Sequence, residues 1–224
     1  MPLKLSTKSS FVMQSEIRNM SIECERVGGI NLSQGVCNLD IPKTVRRAAQ
    51  AAIDEGRNAY TRYDGIAELR AAVARKLKRR YGIAADPERE LVVTSGATGA
   101  FYCAALALLE PGDEVILFEP YYGYHLSTLQ AVGAEPRYLT LRPPDWSFDR
   151  AALEAARSPR TRGIMVCTPA NPSGKVFRRA ERGLLSRPER RPRPGAFLFR
   201  QVGCRAWRGL PAARRVWRPL SSEG

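Results

Sequence analysis

Apolar positions along the chain recur first at helical and then at strand spacing. Val45, Ala48, Ala49, Ala52 and Ile53 lie on one face of a 3.6-residue helix over 45–55, opened by Pro42 and Thr44 and closed by Gly56. Ile66, Leu69, Val73, Leu77 and Tyr81 repeat in the same way, with Arg70, Lys76, Arg79 and Arg80 on other faces, which predicts an amphipathic helix with a solvated basic side. Short β-favouring runs follow at 91–94, 114–119 and 136–141, and a continuous apolar run, GIMVCT, at 163–168 reads as a buried strand. Helical stretches at 100–109, 126–132 and 148–156 separate them, the second stopped by Gly133 and the third capped by Asp149. Upstream, 14–24 fits a short helix and 30–42 a strand with an extended loop. Strand and helix alternate, so the expected fold is α/β, a mainly parallel sheet flanked by helices.

Two stretches carry candidate chemistry. Ser95, Gly96, Ala97, Thr98 and Gly99 form a small-residue turn between a strand and an apolar helix, where free first-turn N–H groups and the helix dipole favour an anion such as a phosphate. An ordinary strand-to-helix connection explains the turn equally well by itself. The strand at 114–119 then delivers Pro120, Tyr121, Tyr122, Gly123, Tyr124 and His125 to the edge at which open α/β sheets bind ligands. An anion cradle beside aromatic faces suits a planar, phosphorylated ligand, although simple packing accounts for Tyr121 and Tyr124 singly. In the second stretch, 168–174, prolines bracket Asn171 at the carboxyl end of the buried strand, and a buried amide there requires partners. Gly174 and Lys175 do not complete a P-loop, because Pro169 stands at its first glycine and Val176 at its Ser or Thr; GATGA does not satisfy the dinucleotide fingerprint either.

Composition narrows the function classes. The 224 residues, 44% hydrophobic, suffice for one large domain or most of two. The longest apolar run, 103–109, is far short of a membrane span and the N-terminus lacks an apolar leader core, so a cytoplasmic protein without membrane contact is expected. Five cysteines without a CxxC pair read as reduced and mostly buried, and His125 as the only histidine leaves metal catalysis and a Ser-His triad without material. The net charge of +14 is concentrated in 177–224, where 13 Arg and 3 Glu give +10 against +4 for the rest. A basic nucleic-acid surface is therefore not a property of the predicted fold.

The segments INLSQG, NAYTRYDGIAELR, VTSGATGA, PGDEVILFEPYYGYH and TPANPSGKVF, in this order and at these separations, resemble the class I and II aminotransferases, the fold type I pyridoxal-phosphate enzymes. The resemblance covers 30–177 and is expected to extend upstream to residue 14. It implies pyridoxal 5'-phosphate as cofactor, amino acid and 2-oxo acid substrates, and a homodimer. By resemblance, Ala97 and Thr98 bind the cofactor phosphate, Tyr122 stacks on the pyridine ring and Asn171 bonds its phenolic oxygen. Tyr60 matches the tyrosine that reaches the phosphate of the partner subunit, and Gly35 a backbone position near the substrate carboxylate. Ser173 replaces the usual threonine, and Val36, Cys37 and Asn38 stand where many relatives have Phe-Pro-Asp, which leaves substrate preference open.

The resemblance also implies elements that the sequence lacks. The family pattern continues with a strand ending in Asp and Tyr, a Ser-x-x-Lys segment and carboxylate-binding arginines. The six lysines here are Lys4, Lys8, Lys43, Lys76, Lys78 and Lys175, none in that context. Amino transfer needs a lysine to hold the cofactor and shuttle a proton, so a truncated and inactive aminotransferase is expected, with no catalytic residue of its own. The resemblance divides the chain into 1–41, a small-domain segment; 42–177, an incomplete large domain that binds the cofactor; and 178–224, an unfolded tail with the Arg, Pro, Ala, Gly and Trp bias of a GC-rich reading out of frame. A non-catalytic cofactor-binding or dimer-partner fragment is the alternative. Nucleic-acid binding through the Arg-rich tail, with Trp207 and Trp217 stacking on bases, is a more remote one. An incomplete large domain leaves strand edges and apolar faces uncovered, so poor solubility is expected.

Overall fold

The computed structural model describes residues 4–7, 9, 15–35, 39–178, 181, 185 and 197–202, the last six by backbone alone. Two compact units divide the chain, one formed by 13–66 and the other by 1–12 with 67–224. The helix expected to open the second domain thus falls in the first unit.

The 13–66 unit holds α1 (Glu16–Arg26) and α2 (Lys43–Asp54). Their apolar residues are turned outward: Val45 and Ile53 of α2 are 56% and 74% exposed. Residues 30–35 and 39–42 form no strand, contrary to the sequence expectation. A strand exists only with a hydrogen-bonded neighbour, and among the described residues no strand pairs with this segment.

The larger unit contains α3 (Ala67–Tyr81), α4 (Gly96–Leu108), β1 (Glu114–Glu119), α5 (Gly123–Val132), β2 (Glu135–Thr140), α6 (Arg150–Ala155), β3 (Thr161–Thr168) and β4 (Phe197–Val202). The strands form one sheet in the order β2-β1-β3-β4 with every pairing parallel, as the alternating pattern predicts. Residues 91–94 are β-favouring but unpaired, and lead into α4 as irregular chain. In the tail, β4 pairs Phe197 to Val202 with Gly163 to Thr168, a strand that the sequence reading did not assign. Phe197, Leu198 and Phe199 have high strand propensity, and the open edge of β3 supplies the ladder. The other residues of 179–224, except 181 and 185, lie outside the described residues, as does the question of whether that part folds.

Alternate residues of the sheet feed two cores, as the period of two in a strand requires. Val115 and Leu117 of β1 and Met165 of β3 pack with Phe101 and Ala105 of α4 and Leu129 and Val132 of α5. Ile116 and Phe118, with Ile164 and Val166, face the other way onto Leu139, Leu141, Leu153 and Phe177. A strand with both faces covered has no place for polar alternation, which is why β1 reads as an unbroken apolar run. At its amino end Glu114 is buried yet satisfied: Arg160 Nη2 lies 2.9 Å from Oε1, and Ser158 Oγ donates to Oε2. Arg160 also reaches Glu135 at 3.0 Å, so one cation ties β1 and β2 to the turn before β3.

Two further expectations need correction. Arg70 is not on a solvated face: its side chain is fully buried, donating to Pro87 O at 2.9 Å and to both oxygens of Glu88 at 3.0 and 3.2 Å. A guanidinium is buried when a carboxylate and a carbonyl match its fork, which helical spacing does not reveal. None of the three described cysteines is buried: Cys24 and Cys167 are half-buried free thiols and Cys103 an exposed one. Cys103 shares with Tyr102 and Leu106 the outer face of α4, which no described element covers.

Candidate cofactor site

Helix α4 begins at Gly96, four residues earlier than its apolar run. Gly96 has φ +71°, a conformation that a residue with a Cβ enters only with strain, and it turns the incoming chain into the helix. Its own N–H donates to Thr94 O at 2.8 Å. The Ser95 side chain makes no capping bond, so the first-turn donors that face outward belong to Ala97, Thr98 and Gly99. Ala97 and Thr98 are both exposed. Thirteen residues of α4 rise about 20 Å and the six of β1 about 20 Å, so with a short turn between them the N-terminus of α4 returns to the carboxyl edge of the sheet.

Tyr122 and Asn171 meet at that edge. β1 and β3 are adjacent and parallel, so the segments that leave their carboxyl ends diverge from one place. Tyr121, Tyr122, Pro120 and His125 from the first, and Cys167, Ala170, Asn171 and Phe177 from the second, line a common recess floored by Leu117 and Met165. Its enclosed volume, about 20 Å³, holds roughly one water. What it offers a larger ligand is its rim, where Tyr122 is half-buried and Asn171 exposed. Exposure of Asn171 corrects the expectation that burial would demand partners for its amide.

The rings are held from behind. Tyr122 is the extended residue that precedes α5, and His125, within the first turn of that helix, donates its backbone N–H to Tyr122 O at 2.9 Å. The buried imidazole stands edge-on to both Tyr122 (5.5 Å, 79°) and Phe101 of α4 (5.5 Å, 78°). Phe101 thereby links α4, whose N-terminus is the candidate anion site, through His125 to Tyr122. Tyr124 tilts against Tyr122 at 5.2 Å, and Tyr121 stacks on Tyr138 of β2 at 5.6 Å and 17°. Burial and the Tyr121 hydroxyl push the Tyr138 phenol up to about 12. Both tyrosines assigned to packing do pack, and Tyr121 also borders the recess.

Lys175 is occupied elsewhere. Its Nζ lies 2.6 Å from Glu181 Oε1 and 3.0 Å from Asp145 O, above the Phe177 ring. Among the described residues that line the recess there is no lysine or carboxylate. Gly35 and Tyr60 belong to the 13–66 unit, both exposed, Tyr60 fully so. Val36, Cys37 and Asn38 lie outside the described residues. Among the described residues no group of His, Cys, Asp and Glu could hold a metal ion, and no helix is long and apolar enough to cross a membrane.

The family model for aminotransferase class I and II matches residues 27–185. The chain belongs to the class I and II aminotransferases. This aminotransferase chain is similar to the probable N-succinyldiaminopimelate aminotransferase DapC of Mycobacterium tuberculosis, 41% identical over 164 residues that make up 72% of this chain and 41% of that protein. The methionine aminotransferase of Escherichia coli K12 is 36% identical over 72% of this chain and 42% of its own length. Among solved structures, the N-succinyldiaminopimelate aminotransferase of Mycobacterium tuberculosis superposes with a TM-score of 0.76 at 36% identity, covering 82% of this chain and 48% of that one. The aspartate aminotransferase of Rhizobium meliloti gives 0.78 at 29%, covering 89% and 51%. The parallel sheet with its helices is thus part of a fold type I transferase, and the chain spans less than half the length of these curated relatives.

The donor set fits part of a phosphorylated pyridine: an uncapped helix terminus for the phosphate, a tyrosine face for the ring and an exposed amide for a ring oxygen. Among the described residues that line the recess there is no amine to bind the cofactor covalently.

Sequence reasoning passed over two residues at this site. His125, expected at the ligand-binding edge with the tyrosines and set aside as a metal ligand or base, packs against Tyr122 and Phe101, and its place within the aromatic cluster is the signal of that packing. By its sequence context Cys167 is one more buried thiol in an apolar run. Nothing in a linear pattern shows that its sulfur meets the loop that follows.

Proposed function

We propose that this chain carries the cofactor-holding part of a pyridoxal-phosphate-dependent aminotransferase, an enzyme that moves an amino group from an amino acid to a 2-oxo acid, and that the 224 residues alone do not complete the transfer. The observation that carries this reading is the convergence of Tyr122 and Asn171 on one recess at the carboxyl edge of β1 and β3; the matched lengths of α4 and β1, which bring the open N-terminus of α4 back toward that edge, support it. Bound pyridoxal phosphate supplies the carbonyl and electron sink of the reaction. The backbone N–H groups of Ala97 and Thr98 hold its phosphate, the Tyr122 ring covers one face of its pyridine and the Asn171 amide donates to its phenolic oxygen. Tyr60 and Gly35 serve the partner subunit's phosphate and the substrate carboxylate in a homodimer. The proposed inactivity rests on the lysines: Lys175 is committed to Glu181 and Asp145, and no lysine is among the described residues that line the recess.

Two titrations test the reading. Pyridoxamine 5'-phosphate needs no lysine and is expected to bind the full chain, with a fluorescence change that saturates. Pyridoxal phosphate followed by borohydride and mass spectrometry is expected to label no lysine stoichiometrically. Absence of pyridoxamine phosphate binding removes the cofactor-holding role, and stoichiometric labelling of one lysine removes the claim of inactivity.

A further inference from the structure

The turn that bears Asn171 is closed on itself and fastened to the end of β3, by three sets of contacts in all. Buried Thr168 accepts the Phe177 N–H on Oγ1 at 3.4 Å. Ala170 N–H donates to Lys175 O, and Gly174 N–H to Ala170 O, both at 2.8 Å. The third set centres on Cys167: its Sγ donates to Pro169 O at 3.3 Å and receives the backbone N–H of Asn171. Among the described residues no hydrogen bond holds the Asn171 side-chain amide, so the direction of that amide is inherited from its backbone.

We propose that Cys167 is a positioning residue for cofactor binding, whose half-buried thiol clamps Pro169 and the Asn171 backbone and so aims the Asn171 amide at the recess. The role rests on the cofactor-holding reading above. A thiol suits the place because it donates and accepts at once, and it can do so only while protonated. Burial pushes the Cys167 thiol above its ordinary value, which keeps the S–H in place at neutral pH. Position matters as well as chemistry: Cys167 is the last but one residue of β3 and lines the recess with Tyr122, so the same side chain touches the clamp and borders the site. Proline at 169 and 172 removes two donors from the turn, so no N–H at either position competes with that of Asn171 for the sulfur.

The test compares the full wild-type chain with Cys167→Ser, which keeps a donor and an acceptor, and Cys167→Ala, which keeps neither. Cys167→Val, which fills the space without hydrogen bonding, replaces the alanine variant if that one unfolds. Three quantities are read: hydrogen exchange at the Asn171 amide, the dissociation constant for pyridoxamine 5'-phosphate, and the thermal midpoint. Loss of the clamp is expected to speed Asn171 exchange about tenfold and weaken binding by about three- to tenfold, with the midpoint and the exchange of Ile116 in β1 unchanged and serine intermediate. Unchanged Asn171 exchange in the alanine or valine variant overturns the proposal, as does faster exchange with unchanged affinity. A wild-type chain that binds no pyridoxamine phosphate overturns the cofactor reading and this role together, whereas wild-type binding that survives loss of the thiol overturns the role alone.

Discussion

His125 packs against Tyr122 in a T-shaped pair, 5.5 Å between ring centroids at 79°, and against Phe101 in the same geometry. Edge-to-face aromatic pairs contribute about 0.5–1.5 kcal/mol beyond area burial, and truncating a buried ring also leaves a cavity. His125→Ala is expected to destabilise the chain by about 2–4 kcal/mol in urea unfolding. His125→Phe keeps two edge contacts and is expected to recover most of this. If the phenylalanine variant is as unstable as the alanine one, packing is not what the imidazole supplies.

The anion cradle can be probed without disturbing the helix. A carboxylate in the first turn of a helix favours the dipole but repels a phosphate. Thr98 is exposed, so Thr98→Glu is expected to leave the melting temperature the same or slightly higher while weakening pyridoxamine phosphate binding at least about tenfold. Equal losses of stability and affinity would indicate damage to α4 instead.

Two leucines on neighbouring helices separate core from surface. Leu129 of α5 is fully buried, and Leu106 of α4 is 56% exposed. Leu129→Ala is expected to cost about 2–5 kcal/mol and Leu106→Ala to stay within about 0.5 kcal/mol. Denaturant midpoints of the two variants check the contrast; comparable losses would mean that the outer face of α4 is covered in solution.

Tyr138 makes stability fall at high pH. Its phenol titrates at about 12 in the folded chain against 10.0 unfolded, so the native state keeps a proton that the unfolded state releases. The stabilisation is complete below pH 10 and is lost as pH rises from 10 to 12. Since Tyr138 is 43% exposed, solvent screening makes the effect small in free energy. Tyrosinate absorbance followed through this range in wild type and Tyr138→Phe is expected to lose the latest-titrating component in the variant; a difference spectrum centred near pH 10 would contradict it.

Much of the larger unit was legible from one dimension. Hydrophobic runs bounded by Gly and Pro located β1 and β3, and Gly133 marked the end of α5, where it adopts φ +80°. Ends set by dihedral angles were less legible: α4 and α5 start at Gly96 and Gly123, before their apolar stripes, because small residues enter a helix without an apolar signature. The paired motifs at 120–125 and 168–174 identified Tyr122 and Asn171 separately. Their meeting depends on β1 and β3 being neighbours, a long-range pairing that no local pattern states.

By itself the sequence determined the alternation of elements, the parallel α/β class, the motif set of the aminotransferases and the absence of a lysine in the expected context, since each is a matter of residue type and spacing. Tertiary structure alone decided what those residues do next to one another. It buried Arg70 against Glu88, left 91–94 without a strand partner, gave 197–202 one, bound Lys175 to Glu181 and set the Cys167 thiol against the Asn171 backbone. The physical reason is common to all five. Burial, strand pairing and charge pairing depend on which distant group arrives, and that is fixed by packing of the whole chain and not by the identity of either partner.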